Sequence, residues 1–355
     1  MTIQHIAVLF GGKSTEYGVS LQSAASVIDH LDRSKYAVIM LGITREGTWY
    51  RYNGSTDEIR SDRWHCHASC IPAFLSPSRS IAGIVELAGT EYRTVSIDAV
   101  IPVLHGRNGE DGTVQGLLEL SGIPFVGCDT MSSAISMDKA IASTLVRAAG
   151  VQTAASITVW ESGDWEAAAA EAMKLGFPLY VKPSRSGSSF GITKAYDHAA
   201  LHQGIRDAFS HDSKVIIEQN IDGFEVGCAV LGSGDEPFIA EIDEIELAGE
   251  FFDYDEKYSL RTSQIRLPAR LEAAIAEQVR AAAQIIYKTL GCSGLARVDM
   301  FVTSDGRIVF NEVNTMPGFT ASSRYPNMMR HSGVSYPQLM DRLIEQAIAG
   351  KERAR

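Results

Sequence analysis

RVDMFVTSDGRIVFNEVNTMPG, residues 297–318, reads as two apolar-rich strands folded about Asp305-Gly306, a dipeptide suited to a hairpin turn. On the second strand Glu312 and Asn314 stand two residues apart, so both side chains leave the same face. Asp299 falls on the neighbouring strand. Two carboxylates and an amide oxygen form a hard-donor set, which Mg²⁺ accepts when phosphates and water complete its octahedron. The plainer alternative is a salt-bridged surface hairpin, which has no need of an asparagine beside the glutamate.

A phosphate partner for such a cation is suggested upstream by VKPSRSGSSFG, residues 181–191. Gly187 and Gly191 allow backbone amides to approach a ligand closely, Ser184, Ser186, Ser188 and Ser189 add donors, and Lys182 supplies a point charge. Glycine-serine loops are also ordinary turns. Two nucleotide motifs are absent: FGGKST lacks the first Walker glycine, since that position is Ala7, and GRNGEDG does not space its glycines as a dinucleotide fingerprint.

The N-terminal third alternates strands with helical patterns. HIAVLFGG and YAVIMLGI flank a helix with Leu21, Ala24, Ala25, Ile28 and Leu31 on one stripe. DAVIPVLHG repeats the strand-to-glycine pattern, and a short helix closed by Gly122 follows. This βαβ grammar predicts an open parallel sheet with ligands at the carboxyl ends of its strands, near Gly11-Gly12 and His105-Gly106. Domains are expected at 1–138, 139–225 and 226–355, the last ending in an amphipathic helix with Leu339, Leu343, Ile344 and Ala347 on one face.

Composition narrows the function. The 355 residues are 45% hydrophobic and 21% charged, as in a globular protein, and the net charge of -11 argues against a nucleic-acid binder. No apolar run approaches a bilayer span, and the N-terminus reads as a strand and not a signal peptide, so a cytoplasmic protein without membrane partners is expected. The five cysteines predict no disulfide, and HCHASC (residues 65–70) reads as a surface loop in preference to a metal site.

LFGGKSTEYGVS, LHGRNGEDGTVQGLLELSGIPFVG, SMDK, KPSRSGSSFGITK, EKYSL, GLARVDMF and NEVNTMPGFT, in this order over nearly the whole chain, resemble the D-alanine:D-alanine ligase family of the ATP-grasp superfamily. The resemblance implies an α/β, three-domain ATP-grasp fold, with a mobile loop at 251–268. It implies ATP held by Lys139, Lys182, Ser184, Ser188 and Ser189 on the phosphates, Glu218 and Ile221 at the adenine and Glu225 at the ribose. It also implies two Mg²⁺, or Mn²⁺, on Asp299, Glu312 and Asn314. Glu16 would hold the ammonium of the first D-alanine near His105, and Glu16, Ser188 and Tyr258 would tie the mobile loop over the site. Arg297 and the Gly318 amide would stabilise the tetrahedral oxyanion.

Two positions depart from the family pattern: Gln219 stands where a lysine often meets the purine, and Gly18 where an acid is common. FFDYDEKY and SSRYPNMM are most similar to the D-alanine:D-serine ligases of vancomycin resistance, particularly the G type. Lys257 and Ser323 would then bind the acceptor carboxylate, with Arg324 in place of a common apolar residue. D-serine is the favoured acceptor and D-alanine the housekeeping alternative in peptidoglycan precursor synthesis. Arg324 could equally be a salt-bridge residue. A homodimer is expected by resemblance only. A catalytically silent ATP-binding protein is the reading from another class, and it would have no reason to keep Lys139, Lys182, Arg297, Asp299, Glu312 and Asn314 together.

Overall fold

The computed structural model describes residues 3–187, 190–234, 236–246 and 264–353. Ser188, Ser189, Lys257 and Tyr258, and most of the 251–268 loop, lie outside the described residues.

Three sheets organise the chain. In the first, of seven strands, Gln4–Gly11 pairs in parallel with Tyr36–Ile43 on one side and Ala99–Val103 on the other. Central strands must bury both faces. Accordingly Ile6, Val8 and Phe10 enter one core with the helix Tyr17–His30, while Ala7 and Leu9 enter another with Val114 and Leu118 of the helix Thr113–Ser121. The expected parallel arrangement holds for these three strands. Trp49–Tyr52, Ile71–Leu75, Gly83–Ala88 and Glu91–Ser96 extend the sheet antiparallel, most of them through short connections, with the helix Thr56–Arg60 lying in the longer link between the first two.

The second sheet has four strands, Thr193–Ala195, Leu179–Pro183, Lys214–Gln219 and Ser156–Trp160. Leu179, Val181, Val215 and Ile217 pack under the helices Trp165–Met173 and His198–Phe209, so the alternate residues Tyr180, Lys182 and Glu218 point the other way. The third sheet runs Gln264–Arg266, Phe238–Glu246, Gly223–Gly232, Gly294–Thr303, Ile308–Asn314 and Gln152–Thr153. The hairpin about Asp305-Gly306 joins two of its strands as expected.

Residues 139–153 pack on this third sheet. Ala142 and Val146 of the helix Lys139–Ala148, together with Val151, share a core with Val226, Val298 and Val313. The packing brings Lys139, the first residue of that helix, against Glu312. The C-terminal helices Arg324–His331 and Tyr336–Arg353 complete the core beneath Tyr17–His30, so the N-terminal body and the third sheet share apolar packing. Each large apolar side chain buried there contributes about 1.5–3 kcal/mol. No described helix is long and apolar enough to cross a membrane.

Candidate active site

Two adjoining cavities lie where the three sheets meet. One, of about 690 Å³, runs between the second and third sheets and is lined by Lys182, Glu218, Ile221, Glu225 and Glu312 among others. The other, of about 170 Å³, lies beneath the N-terminal body and is lined by Glu16, His105, Arg297, Asn314, Gly318, Ser323 and Arg324 among others. Lys139, Ser186, Gly187 and Glu312 line both.

Strand alternation places the charges. On the third sheet Gly227 pairs with Asp243 and Asp299, Asp299 with Glu312, and Arg297 with Asn314, so these residues form one face. The opposite face carries Val226, Cys228, Val298 and Met300 in the core. The polar face is bonded within itself. Arg297 reaches Asp299 through Nε at 2.8 Å and Nη2 at 2.6 Å, and Asn314 Nδ2 donates to Asp299 Oδ2 at 2.8 Å. Lys139 Nζ stands 3.2 Å from Glu312, and Lys182 Nζ 2.7 Å from Glu218. Burial disfavours the Lys182 ammonium, but the Glu218 carboxylate more than offsets this and the lysine pKa is raised.

Among the described residues no three His, Cys, Asp or Glu side chains form a metal cage. Glu312 and Asn314, which line the cavities, nevertheless offer oxygens that suit Mg²⁺, which keeps water and phosphate ligands and takes few from the protein; Asp299, 1% exposed, lines neither cavity and has its oxygens on Arg297 and Asn314. The amide nitrogen of Asn314 faces Asp299, leaving its oxygen as the hard donor.

Arg324 lines the smaller cavity, and its fork grips Asp243, with Nε at 2.8 Å and Nη2 at 2.7 Å. The Asp243 side chain is only 1% exposed. Nη1 lies 3.5 Å from Glu225, and Nη2 3.6 Å from Asp299. Gly227 makes room for the pair, because a Cβ there would stand 2.3 Å from Arg324 Nη2 and 2.6 Å from Asp243 Oδ1. Burial opposes the guanidinium charge, but Asp243 and Asp299 outweigh it and the Arg324 pKa is raised.

Ser184 stands apart from the cavities. It is fully buried and lines neither cavity, and its Oγ donates to Asp138 Oδ1 at 2.9 Å. Lys214 Nζ binds the same carboxylate at 2.8 and 2.9 Å, and Asp138 also caps the helix that begins with Lys139. Burial works against the Asp138 charge, yet Lys214 and Ser184 hold the carboxyl below its ordinary range. Ser184 therefore acts through Asp138, fixing the loop to the helix that carries Lys139.

His105 lies near Glu16, and both of its ring nitrogens face protein: Nδ1 donates to the Met316 carbonyl at 2.8 Å, and Nε2 accepts from Ser23 Oγ at 3.2 Å. Burial pushes its pKa down, so the ring is neutral, as this tautomer requires. Glu16 is buried, and a Cβ at Gly106 would lie 2.3 Å from its Oε2. Ser323 Oγ accepts from the Thr320 amide at 3.0 Å. Sequence reasoning missed Glu110, whose burial, reinforced by Glu16, pushes its carboxyl up to about 8. The glycines of GEDG mask the acid between them, and Asp243, Asp138 and Lys214 carry no local signal.

The N- and C-terminal parts match the family models of the D-ala D-ala ligase N-terminus over residues 5–128 and C-terminus over residues 145–345. The chain is 46% identical over 354 residues to a D-alanine–D-alanine ligase of Caldicellulosiruptor bescii, covering 98% of this chain and 96% of that one. The crystal structure of the VanG D-Ala:D-Ser ligase from Enterococcus faecalis superposes with a TM-score of 0.90 at 50% identity, covering 98% of this chain and 100% of the other. A D-alanine–D-alanine ligase from Bacillus anthracis, complexed with ATP, gives 0.74 at 31% identity, covering 99% and 100%. With both family models matched in order and relatives aligned almost end to end, the chain belongs to the D-Ala-D-Ala ligase family and has its ATP-grasp fold.

Proposed function

We propose that this enzyme joins D-alanine to D-serine at the expense of ATP. The observation that carries the acceptor is the Arg324–Asp243 pair beside Ser323 and Arg297 in the smaller cavity. Among the described residues Arg324 Nη1 makes a 3.5 Å ionic contact with Glu225 and no hydrogen bond, so it offers N–H donors to an acceptor hydroxyl. A pocket that hydrogen-bonds a hydroxyl discriminates against the analogue lacking it, whereas an apolar pocket separates the two poorly. The likeness to the VanG D-Ala:D-Ser ligase supports the same reading, and the likeness to vancomycin resistance proteins supports a role in vancomycin-resistant peptidoglycan synthesis.

ATP occupies the larger cavity, with Lys139 and Lys182 at its phosphates, Glu218 and Ile221 at the base and Glu225 at the ribose. The ATP-bound Bacillus anthracis relative supports the nucleotide. Glu16 holds the ammonium of D-alanine, whose carboxylate oxygen attacks the γ-phosphorus, so ADP leaves and an acyl phosphate forms. The acceptor amine attacks the acyl carbon, the amide forms, and inorganic phosphate departs with the former carboxylate oxygen. Arg297 and the Gly318 amide meet the oxyanion between these events, and Ser323 and Lys257 orient the acceptor carboxylate. Mg²⁺, when bound at Asp299, Glu312 and Asn314, neutralises phosphoryl charge. A homodimer remains part of the proposal.

The test is D-alanine labelled with ¹⁸O in its carboxyl group, turned over with ATP and D-serine. One labelled oxygen in the released phosphate supports the sequence; unlabelled phosphate accompanying dipeptide rejects it.

A further inference from the structure

The turn that carries Gly318 is held largely by side chains of the N-terminal body. The Met316 amide donates to Glu110 Oε1 at 3.0 Å, and its carbonyl accepts from His105 Nδ1 at 2.8 Å. The Phe319 amide donates to Ser23 Oγ at 3.2 Å, and its carbonyl accepts from the Tyr336 hydroxyl at 2.5 Å. Ser23 in turn donates to His105 Nε2, so the clamps on either side of Pro317-Gly318 are joined. Pro317 has no N–H to place. The Gly318 amide has no protein acceptor among the described residues, and Gly318 lines the smaller cavity.

We propose that Glu110, together with His105 and Ser23, is a positioning residue that holds the Gly318 amide in place for the oxyanion. The donor amino acid and the oxyanion donor are thereby referred to the same N-terminal body, which also supplies Glu16. This rests on the reading that the Gly318 amide meets the tetrahedral adduct.

The choice of side chain follows from the geometry. Glu110 accepts the Met316 amide on one oxygen and the Gly106 amide on the other, at 2.7 Å. A carboxylate offers two acceptor oxygens on one carbon, and the two amides favour that ionised form against burial; glutamine would turn an NH₂ toward one of the two amides. The site is a poor one for stability, since burial and the adjacent Glu16 both disfavour the ionised form. A carboxyl kept beside another carboxyl, with both oxygens on backbone amides from separate parts of the chain, fits a group held for position.

The test uses full-length Glu110→Gln and Ser23→Ala enzymes. Three readouts are followed: trapping of the activated donor by hydroxylamine without acceptor, dipeptide formation, and inhibition by a phosphinate dipeptide analogue that presents a tetrahedral anion. Glu110→Gln is expected to lower kcat for the dipeptide by about 10- to 100-fold, less than outright loss of an oxyanion donor. Hydroxamate formation and acceptor KM should stay within about twofold, with phosphinate affinity falling in parallel with kcat and phosphate released per dipeptide rising. Ser23→Ala should move the same quantities in the same direction, and serves alone should Glu110→Gln fail to fold. Equal loss of both half-reactions, or an unchanged dipeptide rate in a folded variant, overturns the positioning role. If the wild-type enzyme binds the phosphinate no more tightly than its dipeptide product, the Gly318 reading itself falls, and this proposal with it.

Discussion

Replacing Arg324 with methionine separates two roles of one side chain. Methionine keeps much of the volume and removes the fork, which leaves Asp243, 1% exposed, with the Gly227 amide at 3.1 Å as its one hydrogen bond among the described residues. Breaking one partner of a buried ion pair costs about 3–5 kcal/mol, because the remaining charge has neither water nor counterion. Asp299, 3.6 Å from Arg324, retains Arg297 and limits the damage to Asp243. Adding Asp243→Asn removes the stranded charge while keeping an acceptor for Gly227, so the double variant should regain about 2–3 kcal/mol. Acceptor choice should not recover with stability. The ratio of kcat/KM for D-serine over D-alanine should fall about 10- to 150-fold in the single and double variants alike, matching about 1.5–3 kcal/mol for a hydrogen bond from a charged donor. Urea denaturation and paired acceptor kinetics measure the two effects. Destabilisation below about 1 kcal/mol, absence of rescue, or an unchanged acceptor ratio would refute the reasoning.

Other perturbations have equally definite outcomes. Gly227→Ala should displace the Arg324–Asp243 pair, since a Cβ there stands 2.3 Å from Nη2, and should destabilise by about 1–3 kcal/mol while lowering D-serine preference, as measured by urea denaturation and acceptor kinetics. Glu312→Gln should abolish turnover with little change in thermal stability; an active variant removes Glu312 from the phosphoryl-transfer machinery. Asp138→Asn should destabilise the protein at pH 7 by about 3–5 kcal/mol by leaving Lys214 buried without its counterion. Because the folded Asp138 carboxyl titrates below its unfolded value, its contribution is present above the unfolded pKa and disappears as pH falls through the folded one. The stability gap to Asp138→Asn should therefore narrow in acid, and a constant gap down to about pH 2 contradicts the linkage.

The elements legible in the sequence were those whose own residues determine their surroundings. Gln4–Gly11 reads as a buried strand because its apolar run ends at glycines, and Ile308–Asn314 as a site strand because Glu312 and Asn314 share a face. The extension at 49–96 was missed because Glu91–Ser96, almost wholly exposed, has no apolar alternation to reveal it. The site residues that escaped are defined by partners far along the chain. Arg324 meets Asp243 81 positions away, Lys214 meets Asp138 76 away, and Glu110 meets Met316 206 away. The surroundings of Ser184 were hidden for the same reason: a serine in a glycine loop gives no sign of its bond to Asp138 until the two are folded together.

The most direct test of the account is competition. Enzyme, Mg²⁺, limiting ATP and D-alanine are incubated with an equal concentration of D-serine, and the dipeptides are separated by mass. The account predicts D-alanyl-D-serine as the main product with one ADP released per peptide bond. D-alanyl-D-alanine as the main product, or ADP release without dipeptide, would contradict it.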